Sequence, residues 1–352
     1  MSTATSLLER ITPGFLDLKP ALTRLAASGV LASAAALAIG CEPPPPPPLP
    51  PLEVSWAPAE PVQGHLFLIR ATFPPGSGIA SATGSAGGET LRFHRVDSRA
   101  ASDGGGSSDT RGPGDPGAPA DAPESATSAD SVATILESLA AVPIDATDTV
   151  DAWVTATYED GRTQTDSLRI PVLEGEYEHE RLTVAPRFGS PPNEEDQVRL
   201  RRDRFKAGWV AGGAHATPRL WGSEVRRPRD SRVTSAFGTG REFNGQISSR
   251  HMGLDLAGRW GDTVTAAADG VVALVDEFLL AGNIVYLNHG GGLLSGYFHL
   301  SQQLVETGQH VPAGTPIGLV GATGRVTGPH LHWVVRYGTT SVAPRSWLAL
   351  PP

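Results

Sequence analysis

Cysteine is almost absent from this chain of 352 residues, which contains one, Cys41. A single cysteine excludes an internal disulfide bond and any zinc finger or iron–sulfur site built on cysteine ligands. Basic residues are also few. The chain has 28 Lys and Arg but 37 Asp and Glu, which gives a net charge of -9. This balance argues against a nucleic-acid partner, since nucleic acid attracts proteins through a basic surface.

Aromatic and charged residues are sparse, at 6% and 18% of the chain, whereas Gly and Pro are abundant. The 41 Gly and 31 Pro together supply 72 of the 352 residues. Both residue types interrupt long helices, so the composition predicts turns, linkers and short strands.

An apolar stretch at 25–40 follows two basic residues and ends at Cys41. It is shorter than the ~20 residues of a membrane-spanning helix, and its order of basic, apolar and small residues matches an export signal. The last four residues, AIGC, resemble a bacterial lipobox, although Leu37 stands one place early. We expect residues 1–41 to be a signal peptide with lipidation at Cys41, which places the chain in the bacterial cell envelope, facing the periplasm or cell wall. The alternative is a small buried cysteine in a short helix.

Residues 42–51 read EPPPPPPLPP. Such a run adopts a stiff polyproline II conformation, because proline cannot donate to a helix or a sheet. We expect a linker that holds the rest of the chain away from a membrane. The alternative is a ligand for a proline-binding module.

Residues 52–185 carry the alternating apolar pattern of β-strands. The pattern is clearest at 150–158, and the Asp-Gly pair at 160–161 predicts a hairpin with its return strand at 163–172. The stretch 99–130 is dominated by Ser, Gly, Asp, Ala and Pro, which predicts a disordered insert. This region is predicted to be a small antiparallel sandwich without a catalytic cluster.

Residues 186–228 are predicted to connect two domains through one helix. Asn193 can cap that helix, acidic residues fill its first turn, and basic residues follow, as the helix dipole favours. From 229 to 352, short apolar runs alternate with glycine pairs, which predicts an all-β domain. The pattern G-x-x-V-x-A occurs at 261–266 and again at 308–313. Both copies precede a further apolar run, which indicates a hairpin unit used twice.

Histidines in suggestive contexts lie in this last region. His251 and Asp255 are spaced H-x-x-x-D, His330 and His332 are spaced H-x-H, and His299 lies between the pairs. The H-x-H side chains share a face if their segment is a strand. Three imidazole and carboxylate ligands with an open position make a catalytic zinc site, and spare imidazoles suit a general base and an oxyanion donor. Surface histidines are the alternative for each pair alone.

Four sequence motifs occur in order between residues 233 and 337: HMGLD at 251–255, GNIVYLNHG at 282–290, GYFHLS at 296–301 and TGRVTGPHLHW at 323–333. Together they resemble the lysostaphin-like (LytM-type) zinc metallopeptidases that cut peptidoglycan peptides. The preceding sequence resembles the immunoglobulin-like domain of some members. The resemblance implies an all-β fold, in which an immunoglobulin-like sandwich precedes a duplicated hybrid motif, a barrel-like β-sandwich.

The resemblance also implies roles for individual residues. One Zn²⁺ ion per chain would have three protein ligands, which are His251, Asp255 and His332. Two catalytic histidines, His299 and His330, would act as the base on the attacking water and stabilise the tetrahedral intermediate, in an order that the sequence does not decide. The substrate groove would include Asn283, Tyr297 and Thr323. The polar stretch 241–248 either covers the groove or contributes to it.

These observations predict a lipid-anchored zinc metalloendopeptidase that hydrolyses peptidoglycan cross-links or stem peptides by a zinc-activated water. Its expected partners are peptidoglycan peptides and, through Cys41, a membrane, with the first domain open to an envelope protein. The alternative is a non-cleaving LytM-type regulator that activates a cell-wall amidase. A secreted protease for other proteins is disfavoured by the lipobox. A lipoyl-type carrier is excluded because no lysine follows Val233.

Overall fold

The structure, a computed structural model, describes residues 44–96, 132–222 and 224–350. Of the described residues, 46% lie in strands and 12% in helices, which confirms the all-β prediction. No helix in these three ranges is long and apolar enough to cross a membrane. The predicted lipidation site at Cys41 and the predicted insert at 99–130 lie outside the described residues.

The strands and helices of the described residues are numbered in chain order. They are β1 (Glu53–Ala57), β2 (Leu66–Phe73), β3 (Ile79–Ala86), β4 (Glu89–Thr90), β5 (His94–Val96), β6 (Thr134–Ala141), β7 (Thr149–Tyr158), β8 (Thr163–Pro171), β9 (His179–Leu182), α1 (Pro186–Gly189), α2 (Glu194–Gly213), β10 (Val233–Ser235), β11 (Gly240–Phe243), β12 (Ile247–Arg250), β13 (Leu254–Ala257), β14 (Thr263–Thr265), β15 (Gly270–Phe278), β16 (Gly282–Gly290), β17 (Leu293–Gln303), β18 (His310–Val311), β19 (Pro316–Val320), β20 (His330–Tyr337), β21 (Thr340–Val342) and α3 (Pro344–Leu348).

The first β domain consists of two four-stranded antiparallel sheets, ordered β1-β2-β6-β5 and β4-β3-β7-β8. Buried side chains from both sheets, among them Phe67 of β2 and Val154 of β7, form one core. Strands β7 and β8 pair across the Asp-Gly turn at 160–161, as the sequence predicts. The immunoglobulin-like assignment of this sandwich stays a prediction.

Helix α2 begins where the sequence predicts. The side chain of Asn193 accepts a hydrogen bond from the backbone N–H of Asp196 at 2.8 Å, which satisfies one of the unpaired donors of the first turn. Ala207 is buried against the C-terminal β domain, and Arg199 forms an ion pair with Glu277 of β15 at 3.1 Å. Small residues on one face and charges beside it therefore fix the helix against β15 and β16.

The C-terminal domain is built on a ten-stranded sheet that does not close into a barrel. Its main path runs β10-β13-β20-β17-β16-β15-β18, with β14, β19 and β21 attached. The repeated pattern has a structural counterpart, because β14 of the first copy pairs with β19 of the second, and β18 of the second pairs with β15 of the first. The matching valines, Val264 and Val311, are both buried. This reciprocal pairing is what a duplicated hairpin unit predicts.

A small three-stranded sheet joins the end of the sandwich to the C-terminal domain. Strand β9 pairs in parallel with β11, which in turn forms a hairpin with β12. The described residues from 48 to 350 cluster as one compact unit. The domain boundaries predicted at 185 and 229 stay predictions.

His289 of β16 is a fully buried histidine with a structural role. Its Nδ1 lies 2.7 Å from the carbonyl oxygen of Asp269, its Nε2 lies 2.7 Å from the hydroxyl of Ser295, and its ring packs on Trp347. Burial lowers its pKa to about 4, against the weaker opposing effect of Asp269. The unfolded chain therefore binds a proton that the folded chain excludes at mildly acidic pH.

We expect His289→Gln to reduce the acid sensitivity of folding. In the native chain, the stability contributed by neutral His289 is complete above its unfolded pKa of about 6.5 and is lost as pH falls towards 4. The free energy of unfolding, measured with urea, should decline between about pH 7.5 and pH 4.5. This decline should be smaller in the variant by on the order of 1–3 kcal/mol. The exposed His310→Gln is the control and should follow the native chain. Equal slopes for all three proteins would contradict the assignment.

Candidate metal centre and groove

Three side chains of the C-terminal domain bring metal-binding atoms together. His251 Nε2 lies 3.0 Å from Asp255 Oδ1 and 2.9 Å from His332 Nδ1. His332 Nδ1 lies 2.7 Å from Asp255 Oδ1. All three residues are buried. Two imidazole nitrogens and one carboxylate oxygen therefore point at a common centre.

Strand pairing explains this convergence. In the antiparallel register of β13 and β20, Asp255 lies directly opposite His332, and Ala257 lies opposite His330. The two histidines share one face of β20, while Leu331 and Trp333 are fully buried on the other face. The prediction that the H-x-H segment is a strand with both imidazoles on one side is confirmed.

The HMGLD motif needs its glycine for close packing. A Cβ atom at Gly253 would lie 2.6 Å from Cε1 of His332 and 2.7 Å from the carbonyl oxygen of Trp333. A side chain here would push β20, and His332 with it, away from His251 and Asp255. His251 is oriented by its other nitrogen, since Nδ1 lies 2.7 Å from the carbonyl oxygen of Ala236. In the neutral ring Nδ1 then carries the hydrogen, and Nε2 keeps a lone pair for the centre.

The electrostatics suit a divalent cation. Burial alone raises the pKa of Asp255, but the short contacts with His251 and His332 hold that pKa well below its usual range. Burial lowers the pKa of His332 to about 4, so its ring is neutral at pH 7. An ionised carboxylate beside the neutral ring of His332 matches the protonation state that metal ligation requires, and this set of two imidazoles and one carboxylate fits Zn²⁺.

His299 lies beside the centre at a bulge of β17. Two residues of β17, Phe298 and His299, oppose one residue of β16 here, and His299 adopts φ 62°, a strained conformation for a residue with a side chain. Its backbone N–H donates to Ala281 at 2.9 Å, and Nδ1 lies 2.8 Å from the carbonyl oxygen of Thr323. Burial, followed by the neighbouring His330 and His332, lowers the pKa of His299 well below its usual range. The ring is therefore neutral at pH 7 and keeps a lone pair on Nε2.

His330 completes the group. Its Nδ1 lies 2.8 Å from the carbonyl oxygen of Gly328, and its Nε2 lies 3.6 Å from Asp255 Oδ1. The rings of His299 and His330 have centroids 5.0 Å apart. The structure thus brings all five predicted metal and catalytic residues into one cluster.

Asn283 and Thr323, predicted to line the groove, form a hydrogen-bond network behind His299. The Asn283 side chain and the Thr323 hydroxyl both donate to the carbonyl oxygen of Leu300, at 3.0 and 2.9 Å. The backbone N–H of Asn283 donates to the Thr323 hydroxyl at 2.9 Å. These contacts fix the loop whose carbonyl oxygen holds His299.

Tyr297, also predicted to line the groove, lies in the core of the C-terminal domain. Its ring is fully buried, and its hydroxyl accepts a hydrogen bond from the backbone N–H of Ala267 at 2.9 Å. Ser295 donates to the same hydroxyl at 2.9 Å. Tyr297 therefore stabilises the core of the sheet.

A groove of about 370 Å³ opens over the cluster. One wall contains residues of β9 and β11, and the other is the loop 325–329. Its floor includes Asp255, His299 and His330. The polar stretch 241–248 therefore contributes to the groove.

Arg241, which the sequence did not single out, reaches the centre from β11. Its Nη2 donates to Asp255 Oδ2 at 2.6 Å and to the hydroxyl of Ser235 at 2.8 Å, and its Nε donates to Glu180 of β9 at 3.3 Å. Arg241 thus engages the oxygen of Asp255 that does not face the two histidines. Contacts of this kind orient a ligating carboxylate and leave its other oxygen for the metal.

Comparison with known proteins identifies the C-terminal domain. Residues 249–344 match peptidase family M23, so the chain contains an M23 (LytM-type) peptidase domain. It is 43% identical over 112 residues to the peptidoglycan DD-endopeptidase ShyC of Vibrio cholerae, a match covering 31% of this chain and 26% of that protein. It is 39% identical over 121 residues to the DD-carboxypeptidase/endopeptidase Mpg of Neisseria meningitidis, covering 34% and 28%. The chain thus spans between a quarter and a third of these relatives.

One solved structure extends the likeness beyond this domain. A candidate M23 peptidase from Pseudomonas aeruginosa aligns with 82% of this chain and 95% of its own, with a TM-score of 0.55 and 20% identity. At that identity the two proteins share a fold. The family match at 249–344 does not include the first β domain.

Proposed function

We propose that this chain is a zinc-dependent endopeptidase that hydrolyses peptide bonds of peptidoglycan in the bacterial cell wall. The observation that carries the proposal is the convergence of His251 Nε2, Asp255 Oδ1 and His332 Nδ1 under a groove that also contains His299 and His330. The M23 domain and the relatives named as peptidoglycan DD-endopeptidases support the reaction class and the polymer.

His251, Asp255 and His332 would hold the zinc ion. Bound zinc would supply a Lewis acid that polarises the scissile carbonyl and lowers the pKa of water. His299 and His330 each have Nδ1 against a backbone carbonyl, so each keeps Nε2 for the reaction. One neutral imidazole takes the proton of the attacking water. The imidazolium then donates that proton to the nitrogen of the leaving amine. The second histidine stabilises the tetrahedral intermediate by a hydrogen bond from Nε2 in its protonated form, because a ring whose Nδ1–H faces a carbonyl has a hydrogen on Nε2 only as the imidazolium.

The predicted anchor at Cys41 fits this function. A lipid anchor followed by a proline-rich spacer would keep the groove near its polymer and raise the effective substrate concentration without any new contact. A lipid-anchored location in the cell envelope therefore belongs to the proposal. The regulator alternative gains no support from the site, because all five positions that chemistry needs are filled and assembled.

The test is digestion of purified sacculi by the zinc-loaded soluble chain of residues 42–352, which lacks the proposed lipidation site. We expect new peptide ends in the released fragments, identified by mass spectrometry. A chelator should abolish them, and added Zn²⁺ should restore them. An unchanged polymer, with zinc bound and the chain folded, would contradict the proposal. In that event, release of glycan strands only after a cell-wall amidase is added would identify the regulator.

A further inference from the structure

Arg325 brings a positive charge into the groove that no described side chain neutralises. It lines the groove whose floor includes Asp255 and His330. It also lines an adjoining cavity next to His251, and His299 lines both spaces. Within residues 44–96, 132–222 and 224–350, no carboxylate forms an ion pair with its guanidinium. Arg241, which lines the same groove and cavity, has ion pairs with Glu180 and Asp255. The two arginines therefore differ in whether the protein itself supplies an anion.

The position of Arg325 is fixed on two sides. Its guanidinium stacks over the ring of Phe243, 4.0 Å from the centroid, and its backbone N–H donates to the carbonyl oxygen of Leu280 at 2.8 Å. The preceding Gly324 has φ 78°, and a Cβ there would lie 2.5 Å from backbone atoms of Leu280 and Gly282. The loop therefore packs so closely that the guanidinium is held in place before any ligand arrives.

The surroundings of Arg325 are electropositive. Burial and the nearby Arg241 both disfavour the charge of Arg325 and so lower its pKa. The exposed Arg232 lines the same groove. The two carboxylates of the groove, Glu180 and Asp255, are already in contact with Arg241. A partly buried cation without a partner is costly, and an anionic ligand removes that cost.

We propose that Arg325 binds a free carboxylate of the substrate peptide beside the scissile bond and thereby selects substrates that carry it. This inference rests on the proposed endopeptidase function. A guanidinium binds a carboxylate through two parallel N–H···O bonds. Stem peptides of peptidoglycan retain free carboxylates where a residue is linked through its side chain. Arg325 is two residues after Thr323, and the carbonyl oxygen of Thr323 holds His299. The bound carboxylate therefore lies near the reacting carbonyl.

The experiment uses cross-linked stem peptides of one sequence, with each free carboxylate next to the cross-link converted in turn to a carboxamide. The native chain should cleave the fully ionised peptide with a kcat/KM roughly 10–100-fold above that of one of the amides, the range expected for a charge-assisted pair. Arg325→Gln should lose that preference by reducing kcat/KM for the ionised peptide alone. Arg325→Lys should retain part of it. Arg201→Gln, at an exposed position of α2, is the charge-matched control and should behave as the native chain.

Three results would overturn the inference. Equal cleavage of all peptides by the native chain would disprove selection by charge, with the endopeptidase function intact. An equal loss on every peptide in Arg325→Gln, with zinc content and thermal stability unchanged, would assign Arg325 a positioning role only. Failure of the zinc-loaded native chain to cleave any peptide or sacculi would overturn the proposed function, and this inference with it.

Discussion

Replacing His332 by Ala is expected to abolish zinc binding and to reduce peptidase activity by at least ~10³-fold, because it deletes one ligand of the proposed three-ligand site. His332 contacts both other ligands, so its loss also leaves His251 and Asp255 without their shared partner. Zinc content by elemental analysis and cleavage of cross-linked peptides are the two measurements. Both should fall together.

Two further proteins make that result interpretable. Asp255→Asn keeps the size of the side chain and removes the charge, so it should also lose zinc and activity. His310→Ala replaces an exposed histidine and should retain both. Circular dichroism and thermal unfolding establish that each variant folds. A folded His332→Ala protein that binds one zinc ion with native affinity would refute the ligand assignment.

Substitution of the two proposed catalytic histidines is expected to separate activity from metal binding. His299→Ala and His330→Ala should each lose roughly 10²–10⁴-fold in kcat, the range for a general acid or base, and should keep the zinc ion. Because the two rings lie 5.0 Å apart and act on the same tetrahedral intermediate, the double variant should lose much less than the product of the single losses. Loss of zinc in either single variant would move that histidine into the ligand set. Native activity in either would remove it from the mechanism.

Local patterns in the sequence predicted several features of the fold and of the site. Asn193 before an acidic turn predicts the start of α2, and the Asp-Gly pair at 160–161 predicts the β7–β8 hairpin, because both signals lie within a few residues. The H-x-H spacing of His330 and His332 predicts a shared strand face for the same reason. These features depend on short-range geometry, which the chain specifies directly.

Sequence patterns did not predict contacts between residues far apart in the chain, or side-chain directions where a strand is irregular. Tyr297 and His299 are two residues apart and would share a face of an ideal strand, but the bulge and the φ of 62° at His299 turn their side chains apart. Arg241 and Glu180 meet across 61 positions through the parallel pairing of β9 and β11. No spacing in the sequence marks either event.

The pairing of β9 with β11 limits how this protein can be divided. A fragment that starts at residue 229 would lack β9, so the backbone N–H and C=O groups of Gly240–Phe243 that pair with it would be left on an open sheet edge, and Glu180 would leave the wall of the groove. Such a fragment exposes a template for intermolecular strand addition. The peptidase domain therefore cannot be transferred to another protein without β9. A graft or domain exchange has to include this strand.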